Sequence, residues 1–420
     1  MTNRIKQFHA LLIALIVAAL LPLQAQQKSK NKEKFFEPER ILQHIKILAS
    51  DSLEGRGTGT EGERMAADYI IREFMAIGLQ PKGDKGSWLH AFEYRKGEGG
   101  DVQKGTTYNV VAYLDNKAPL TVVIGAHYDH LGFGHDGNSL EKGAQGQIHN
   151  GADDNASGVA GVIELARYFA KNGRKEKYNF LFICFSAEEL GLQGSKYFVN
   201  NPTIPLEQIS FMLNMDMVGR LKKDDPILTV SGTGTAPEWE DLLRKFNSAA
   251  LKIKTDSSGI GASDHSSFYH KNIPALHFFS GSHADYHKPS DDWEKINTQG
   301  QEAILFLIAS LVEQLEGKEK LTFLKTRNTS EAGRARFKVS LGIMPSYTGN
   351  DEGVLVEAVM DGKPAQAAGV KDGDIIYGLG EHEIKNIQDY MKALGTFDKS
   401  MDTIVKIKRG DEKLELKITF

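Results

Sequence analysis

The chain has 420 residues, with 51 basic and 55 acidic side chains and 40% hydrophobic residues. This near balance of charge argues against a nucleic-acid-binding surface, and the apolar content excludes a mainly disordered chain. The length suggests roughly two or three domains. Cys184 is the only cysteine. The chain can therefore form no intrachain disulfide, and any metal site must use His, Asp and Glu.

The first 25 residues have the pattern of a bacterial secretory signal peptide. Arg4 and Lys6 give a basic start, and the apolar run at 10–21 is shorter than a membrane span. Leu23-Gln24-Ala25 then offers a cleavage site. We expect a periplasmic or secreted protein that has no membrane contact after cleavage near Ala25. An uncleaved membrane anchor is the alternative.

Short apolar runs alternate with amphipathic stretches through the first three quarters of the chain. Strands are predicted at 109–114, 120–125, 178–185, 209–218, 227–231 and 275–280. Helices are predicted at 61–79, 236–250, 297–316 and, most clearly, 156–172, where apolar residues recur at helical spacing. This alternation favours an α/β fold, with a mixed, mostly parallel central sheet sandwiched by helices.

The character of the sequence changes near residue 320. The polar segment 321–335 is predicted to be a linker. It divides the chain into a larger domain at 26–320 and a small β-rich domain at 336–420, where short strands are predicted at 337–340, 353–356, 374–377 and 403–407. The second domain contains no cluster of His, Asp and Glu.

Polar and charged residues directly follow the predicted strands of the larger domain. Ligands of such sheets bind beyond the carboxyl ends of the strands, so these residues are expected to meet there. Two histidines with several carboxylates suit a pair of divalent ions that activate water. We assign five residues to the ions, with Asp153 as the bridging ligand: His127, Asp153, Glu189, Asp216 and His287. Zinc suits this donor set best, and cobalt or manganese would also fit.

The Glu188-Glu189 doublet cannot easily direct both side chains at one metal. One is expected to be a ligand and the other a general base for the bridging water. Asp129, two residues after His127, can accept the second ring N–H of that histidine and so fix its tautomer.

The order of these motifs resembles that of the dizinc aminopeptidase family, which includes bacterial leucyl aminopeptidases and, more distantly, glutamate carboxypeptidase and glutaminyl cyclases. The resemblance covers residues 38–318. It implies that the five residues named above are the metal ligands, Glu188 the general base and Asp129 the orienting residue. It also implies a cis peptide between Asp153 and Asp154, and a hydroxyl of Tyr286 that steadies the tetrahedral intermediate. The motifs are His-x-Asp at 127–129, Ala-Asp-Asp-Asn-Ala-Ser-Gly at 152–158, Glu-Glu-x-Gly-x-x-Gly-Ser at 188–195, Asn-x-Asp-Met at 214–217 and His-x-Pro-Ser-Asp at 287–291.

The second domain resembles a PDZ domain of the bacterial protease type. The resemblance rests on Ser-Leu-Gly-Ile-Met at 340–344, Lys-Pro-Ala-Gln-Ala-Ala-Gly-Val at 363–370 and Gly-Asp-Ile-Ile at 373–376. It implies that a peptide C-terminus adds as a strand beside the loop at 340–344. A structural appendage with an internally filled groove is the alternative.

Together these features predict an exported aminopeptidase with two zinc ions, which removes N-terminal residues from peptides. A glutaminyl cyclase or a carboxypeptidase on the same scaffold is the first alternative. A silenced scaffold that acts only through its PDZ domain is the second. The glycine-rich segment 131–150, with His135 and His149, is either a lid over the cleft or an ordinary surface loop.

Overall fold

The computed structural model describes residues 35–96, 103–135, 139–141, 143–326, 339–345, 353–359, 362–385 and 387–420. The predicted signal peptide at 1–25 lies outside these residues, as does most of the predicted linker. Within the described ranges, no helix is long and apolar enough to cross a membrane.

A mixed sheet forms the centre of the first domain. Its order is β1-β3-β5-β4-β6-β9-β7-β8, and β2 pairs with β3. The central strands β5, β4, β6 and β9 are parallel, whereas β3 and β7 join them in antiparallel pairs. The bounds are β1 Gln80–Pro81, β2 Leu89–Lys96, β3 Gln103–Leu114, β4 Thr121–His127, β5 Asn179–Phe185, β6 Ile209–Met215, β7 Ile227–Ser231, β8 Lys252–Asp256 and β9 Ala275–Phe279.

Helices cover both faces of this sheet. Alternate residues of β4 illustrate the two layers: Val122 and Ile124 pack in one core cluster, and Val123 packs in the other. The first cluster holds side chains of α1, α2, α3 and α7, and the second holds those of α4 and α6. The bounds are α1 Pro38–Leu48, α2 Glu61–Ile77, α3 Gly158–Lys171, α4 Gln193–Asn200, α5 Trp239–Arg244, α6 His265–Tyr269 and α7 Thr298–Gln314.

Local sequence explains where these elements begin and end. All residues of β4, β5 and β6 are buried, as expected for parallel strands covered on both faces. Thr60 caps α2 by accepting a hydrogen bond from the N–H of Glu63, and Gly78 ends that helix in the left-handed region at φ 94°. Chain direction and burial thus place the ends of β4, β5 and β6 side by side.

The predicted α/β fold is confirmed, with differences at the edges of the sheet. The helix predicted at 236–250 is shorter, spanning Trp239–Arg244. Strands β1, β2 and β8 lie outside the predicted strands, and each of them contains exposed residues. The start of the predicted linker, 321–326, lies against the first domain, where Leu321 is buried and Thr326 hydrogen-bonds Tyr269.

The second domain is a separate antiparallel sheet with two short helices. Its strands follow the order β10-β11-β12-β14-β15, with β13 on β12, and a core of its own packs beneath them. Arg409 makes a two-pronged ion pair with Asp374, at 2.8 Å for each bond. The strand predicted at 337–340 is displaced, because β10 starts at Ile343 and residues 337–338 lie outside the described ranges. The bounds are β10 Ile343–Pro345, β11 Val354–Val359, α8 Pro364–Ala368, β12 Ile375–Leu379, β13 His382–Glu383, α9 Ile387–Leu394, β14 Asp402–Arg409 and β15 Glu412–Thr419.

Candidate active site

His127, Asp154 and Asp216 form a first group of metal-binding side chains. His127 ends β4, Asp216 follows β6, and Asp154 lies in the turn that leads into α3. Nε2 of His127 lies 3.3 Å from Oδ1 of Asp154 and 3.4 Å from Oδ1 of Asp216. One ligand atom from each residue falls within 4.8 Å of the others, so the group can hold one metal ion.

A second group shares Asp154 and adds Glu189, His287 and His130. Nε2 of His287 lies 3.1 Å from Oδ2 of Asp154 and 3.3 Å from Oε2 of Glu189. Nδ1 of His130 lies 3.0 Å from Oε1 of Glu189 and 3.7 Å from Oδ2 of Asp154. Asp154 thus offers one oxygen to each group, as a bridging carboxylate does. His130 was not assigned from the sequence, although it follows β4 by only three residues.

Asp153, which the sequence predicted to be the bridging ligand, points elsewhere. Its Oδ1 accepts the backbone N–H of Gly219 at 2.7 Å, and its Oδ2 lies 3.2 Å from Nε2 of His283. The structure brings Asp154, and not the predicted Asp153, to both groups, because adjacent side chains in this turn point in different directions. The cis peptide also lies one residue later than predicted: it joins Asp154 to Asn155 and not Asp153 to Asp154.

Asp291 holds the turn that presents Asp154. Its Oδ2 accepts the backbone N–H groups of Asp153 at 3.0 Å and Asp154 at 3.1 Å. Burial, with the nearby Asp153 carboxylate, raises the pKa of Asp291 to about 7. The motif His-x-Pro-Ser-Asp contained this residue, but sequence spacing alone gave it no role.

Arg56 joins the segments that carry the two groups. Its buried guanidinium donates to four backbone carbonyls, those of Leu48, Tyr128, Asn150 and Gly151, at 2.5 to 3.0 Å. Burial lowers the pKa of Arg56 to about 10. The arginine therefore fixes the β4 end relative to the turn before α3.

Asp129 positions His127 and the Glu188-Glu189 doublet, and it contacts the histidine through a different atom from the one predicted. Nδ1 of His127 donates to the backbone carbonyl of Asp129 at 3.1 Å, whereas the nearest carboxylate oxygen is 3.8 Å away. The carboxylate instead accepts the N–H groups of Glu188 at 3.0 Å and Glu189 at 3.4 Å, and the hydroxyl of Thr58. Burial raises the pKa of Asp129 to about 6. Asp129 thus fixes the glutamate doublet as well as the histidine.

Glu188 and Tyr286 line the cavity beside the two groups. Burial and the carboxylates of Glu189 and Asp216 raise the pKa of Glu188 well above its usual value, although His127 opposes them. The Tyr286 ring stacks on the His287 ring, with centroids 3.9 Å apart. Burial and the surrounding carboxylates raise the pKa of its hydroxyl, so it remains a hydrogen-bond donor.

The donor set fits zinc. It consists of imidazole nitrogens and carboxylate oxygens, the ligands that zinc takes in sites without cysteine. Burial alone lowers the pKa of His127 and His287, yet the adjoining carboxylates outweigh it and raise both values. The carboxylates therefore create a negative potential at both histidines, and this potential would also favour a bound cation.

The segment 131–150 packs onto the site. The backbone N–H of Leu140 donates to the carbonyl of His287 at 2.9 Å. The ring of His149 is buried, with Nε2 2.8 Å from the Ser139 hydroxyl. His135 stacks on Phe133 within the segment. The described part of this segment is therefore fastened at His287 and contributes no residue to the two metal-binding groups.

Two protein-family models match the chain. Residues 109–312 match peptidase family M28, and residues 339–420 match the PDZ domain. The chain thus has an M28 peptidase domain followed by a PDZ domain, which confirms both sequence resemblances.

Curated relatives include bacterial enzymes. Leupeptin-inactivating enzyme 1 of Streptomyces exfoliatus is 30% identical over 272 residues, which are 62% of this chain and 52% of that protein. Aminopeptidase YwaD of Bacillus subtilis is 31% identical over 216 residues, 49% of this chain and 43% of that protein. The chain thus spans about half the length of these relatives.

Solved structures share the fold of the first domain. The LapA aminopeptidase of Legionella pneumophila is 23% identical, with a TM-score of 0.52 over 69% of this chain and 75% of that one. A glutaminyl cyclase of Bacteroides thetaiotaomicron, solved with N-acetylhistamine, is 16% identical, with a TM-score of 0.53 over 66% of this chain and 97% of that one. At these identities the likeness describes the fold.

Proposed function

We propose that this chain, whose larger domain is of peptidase family M28, is an exported aminopeptidase that uses two zinc ions. The observation that carries the proposal is the position of Asp154 between two His and carboxylate groups, with Glu188 beside them in one cavity. The aminopeptidases among the relatives support the same activity. The signal-peptide pattern at 1–25 supports export.

The residues of the site have distinct parts in this reaction. His127 and Asp216 would hold one zinc ion, Glu189 with His287 or His130 would hold the other, and Asp154 would bridge them. Zinc supplies Lewis acidity, which lowers the pKa of bound water and polarises a carbonyl group.

Proton transfer and charge stabilisation fall to two further side chains. Glu188 takes a proton from the attacking water and delivers it to the leaving amine. The Tyr286 hydroxyl donates a hydrogen bond to the oxygen that gains negative charge. Asp129 keeps the backbone of Glu188 in place for this transfer.

Replacing Glu188 by Gln tests the proposal, because it removes the base and leaves the shape of the side chain. We expect kcat for aminoacyl p-nitroanilides to fall roughly 10²- to 10⁴-fold, while zinc content stays that of the wild type. The exposed Glu93→Gln change on β2 is the matched control and should leave both unchanged. Near-normal turnover of Glu188→Gln would show that Glu188 is not the general base.

The cyclase-like fold makes glutaminyl cyclisation the competing function. A peptide with N-terminal Gln distinguishes the two in the same assay. Release of free glutamine supports the peptidase, whereas loss of ammonia without a shortened peptide supports the cyclase.

A further inference from the structure

One end of the cavity is built from a row of polar residues that crosses the sheet away from the metal-binding groups. Asn214 on β6 pairs in register with His277 on β9, His277 with Ser231 on β7, and Ser231 with Asp256 on β8. Directly paired residues point to the same face of a sheet. Asn214 is fully buried, and the other three residues line the cavity. The row therefore leads from the strand before Asp216 to the carboxylate of Asp256.

Asp256 differs from the other carboxylates of the cavity wall. Asp154, Glu188, Glu189 and Asp216 belong to the metal-binding groups or stand beside them. Asp256 lies apart from both groups, at the end of the last strand in the sheet. Its role is therefore not explained by the chemistry proposed above.

The surroundings of Asp256 hold it in place without neutralising it. Its Oδ1 accepts the backbone N–H of Ser258 at 3.2 Å. Partial burial raises its pKa, and the charge of Lys254 on the same strand opposes that effect. Among the described residues, no Lys or Arg nitrogen lies within ion-pair distance of its carboxylate. A half-buried carboxylate of this kind gains from a cationic partner.

The rest of this wall suits a long side chain with a positive end. In the described part of the chain, no lysine or arginine lines the cavity. His265 and His277 stack at 4.6 Å, and burial lowers the pKa of both, so they add no positive charge. Ile260 and Phe279 provide apolar surface against which an aliphatic stem packs.

We propose that this end of the cavity binds the side chain of an N-terminal lysine or arginine of the peptide, with Asp256 as the residue that determines this specificity. The inference rests on the proposed aminopeptidase function and names its substrate class. Neighbouring strands are about 4.8 Å apart, which places the backbone of Asp256 roughly 14 Å from that of Asn214. Among the side chains of a peptide's first residue, lysine and arginine extend farthest, and they carry the charge that pairs with this carboxylate.

Kinetics with a matched set of substrates test the proposal. Arg-, Lys-, Leu- and Met-p-nitroanilides are compared on the zinc-loaded full chain and on Asp256→Asn, which preserves shape and removes the charge. A charge-assisted hydrogen bond corresponds to roughly a 10- to 100-fold preference. We therefore expect the wild type to favour Arg and Lys by that factor in kcat/KM, and Asp256→Asn to lose it while Leu hydrolysis changes less than about threefold.

A control variant and a charge reversal complete the test. Asp225→Asn removes a carboxylate from the opposite end of the same strand pair, where Asp225 binds Lys252 at 2.7 Å, and should leave the preference intact. Asp256→Lys should reverse the preference in favour of N-terminal Glu over Arg. Equal kcat/KM for Arg and Leu in the wild type, or an unchanged ratio in Asp256→Asn, overturns the specificity assignment alone. Absence of hydrolysis with every substrate overturns the proposed function instead.

Discussion

At the scale of single residues, the site depends on which member of an aspartate doublet reaches the metal-binding groups. Asp154 lies 3.3 Å from His127 and 3.1 Å from His287, while Asp153 contacts Gly219 and His283. We expect Asp154→Asn to lose at least one of two bound zinc ions. Changing a residue that only supports a metal ligand typically lowers metal affinity roughly 10- to 100-fold. Removal of a shared ligand should lower zinc affinity by more than that. Mass-spectrometric metal analysis of purified protein measures this loss.

Asp153→Asn is the matched comparison. Its side chain is fully buried and holds the Gly219 N–H, so we expect a stability loss of about 1–2 kcal/mol with zinc content preserved. Thermal unfolding and metal analysis separate the two variants. If Asp153→Asn loses zinc and Asp154→Asn retains it, Asp153 and not Asp154 is the shared ligand.

The sequence could predict the types of residue in the site better than their individual positions. The sequence predicts His127, Glu189 and Asp216 because each follows an apolar run, and the structure brings all three next to Asp154. The choice between Asp153 and Asp154 depends on a turn held by Asp291, which lies well over a hundred residues later in the chain. No local spacing encodes such a contact.

At the scale of secondary-structure elements, a buried carboxylate joins α1 to α3. Glu164 on α3 is fully buried and accepts hydrogen bonds from Arg40 Nε at 2.8 Å and Nη2 at 2.7 Å, while His44 Nε2 lies 3.2 Å away. Replacing Arg40 by Met leaves this charge without its main partner. We expect the free energy of unfolding to fall by about 3 kcal/mol, measured by denaturant titration.

The effect depends on pH in a defined direction. Burial raises the pKa of Glu164, but hydrogen bonds from His44 and Arg40 outweigh it and leave the value below the usual 4.5. The stabilisation is therefore complete above pH 4.5 and is lost as the pH falls through the lowered native pKa. The difference between wild type and Arg40→Met should shrink in the same range. Arg64→Met, which breaks only exposed ion pairs on α2, should have little effect at any pH.

The elements that the sequence predicted well are those buried on both faces. Strands β4, β5 and β6 are predominantly apolar, so they can be predicted without tertiary information. Strand β8 was not predicted from the sequence because it has only five residues and two of these are lysines. It is a strand only because it pairs with β7. It nevertheless carries Asp256, so a strand that the sequence does not predict bears the proposed specificity residue.

At the scale of the whole molecule, the two domains meet at the cavity. Pro345, the last residue of β10, lines the same cavity as Glu188 and Asp256. Strand β10 pairs only with β11 in the described sheet, and the segment 340–344 includes the first two residues of β10. The PDZ resemblance assigns peptide C-termini to this edge. A domain that binds the C-terminus of a peptide would raise the local concentration of its N-terminus near the cleft.

Binding of blocked peptides tests this role without interference from catalysis. An N-terminally fluorescein-labelled hexapeptide has no free N-terminus and cannot be a substrate. Its fluorescence anisotropy therefore reports binding to the second domain. Backbone N–H groups that hold a carboxylate form charge-assisted hydrogen bonds, and we expect the free acid to bind roughly tenfold or more tightly than the C-terminal amide.

Gly342→Ala should abolish the difference in affinity between the acid and the amide. Gly342 has φ 73°, and a Cβ there would lie 2.0 Å from the Cβ of Lys363, so the loop must change shape. Hydrolysis of aminoacyl p-nitroanilides by this variant should remain that of the wild type. Equal binding of acid and amide would show that the groove does not read peptide C-termini, and absence of binding by either would favour a structural appendage.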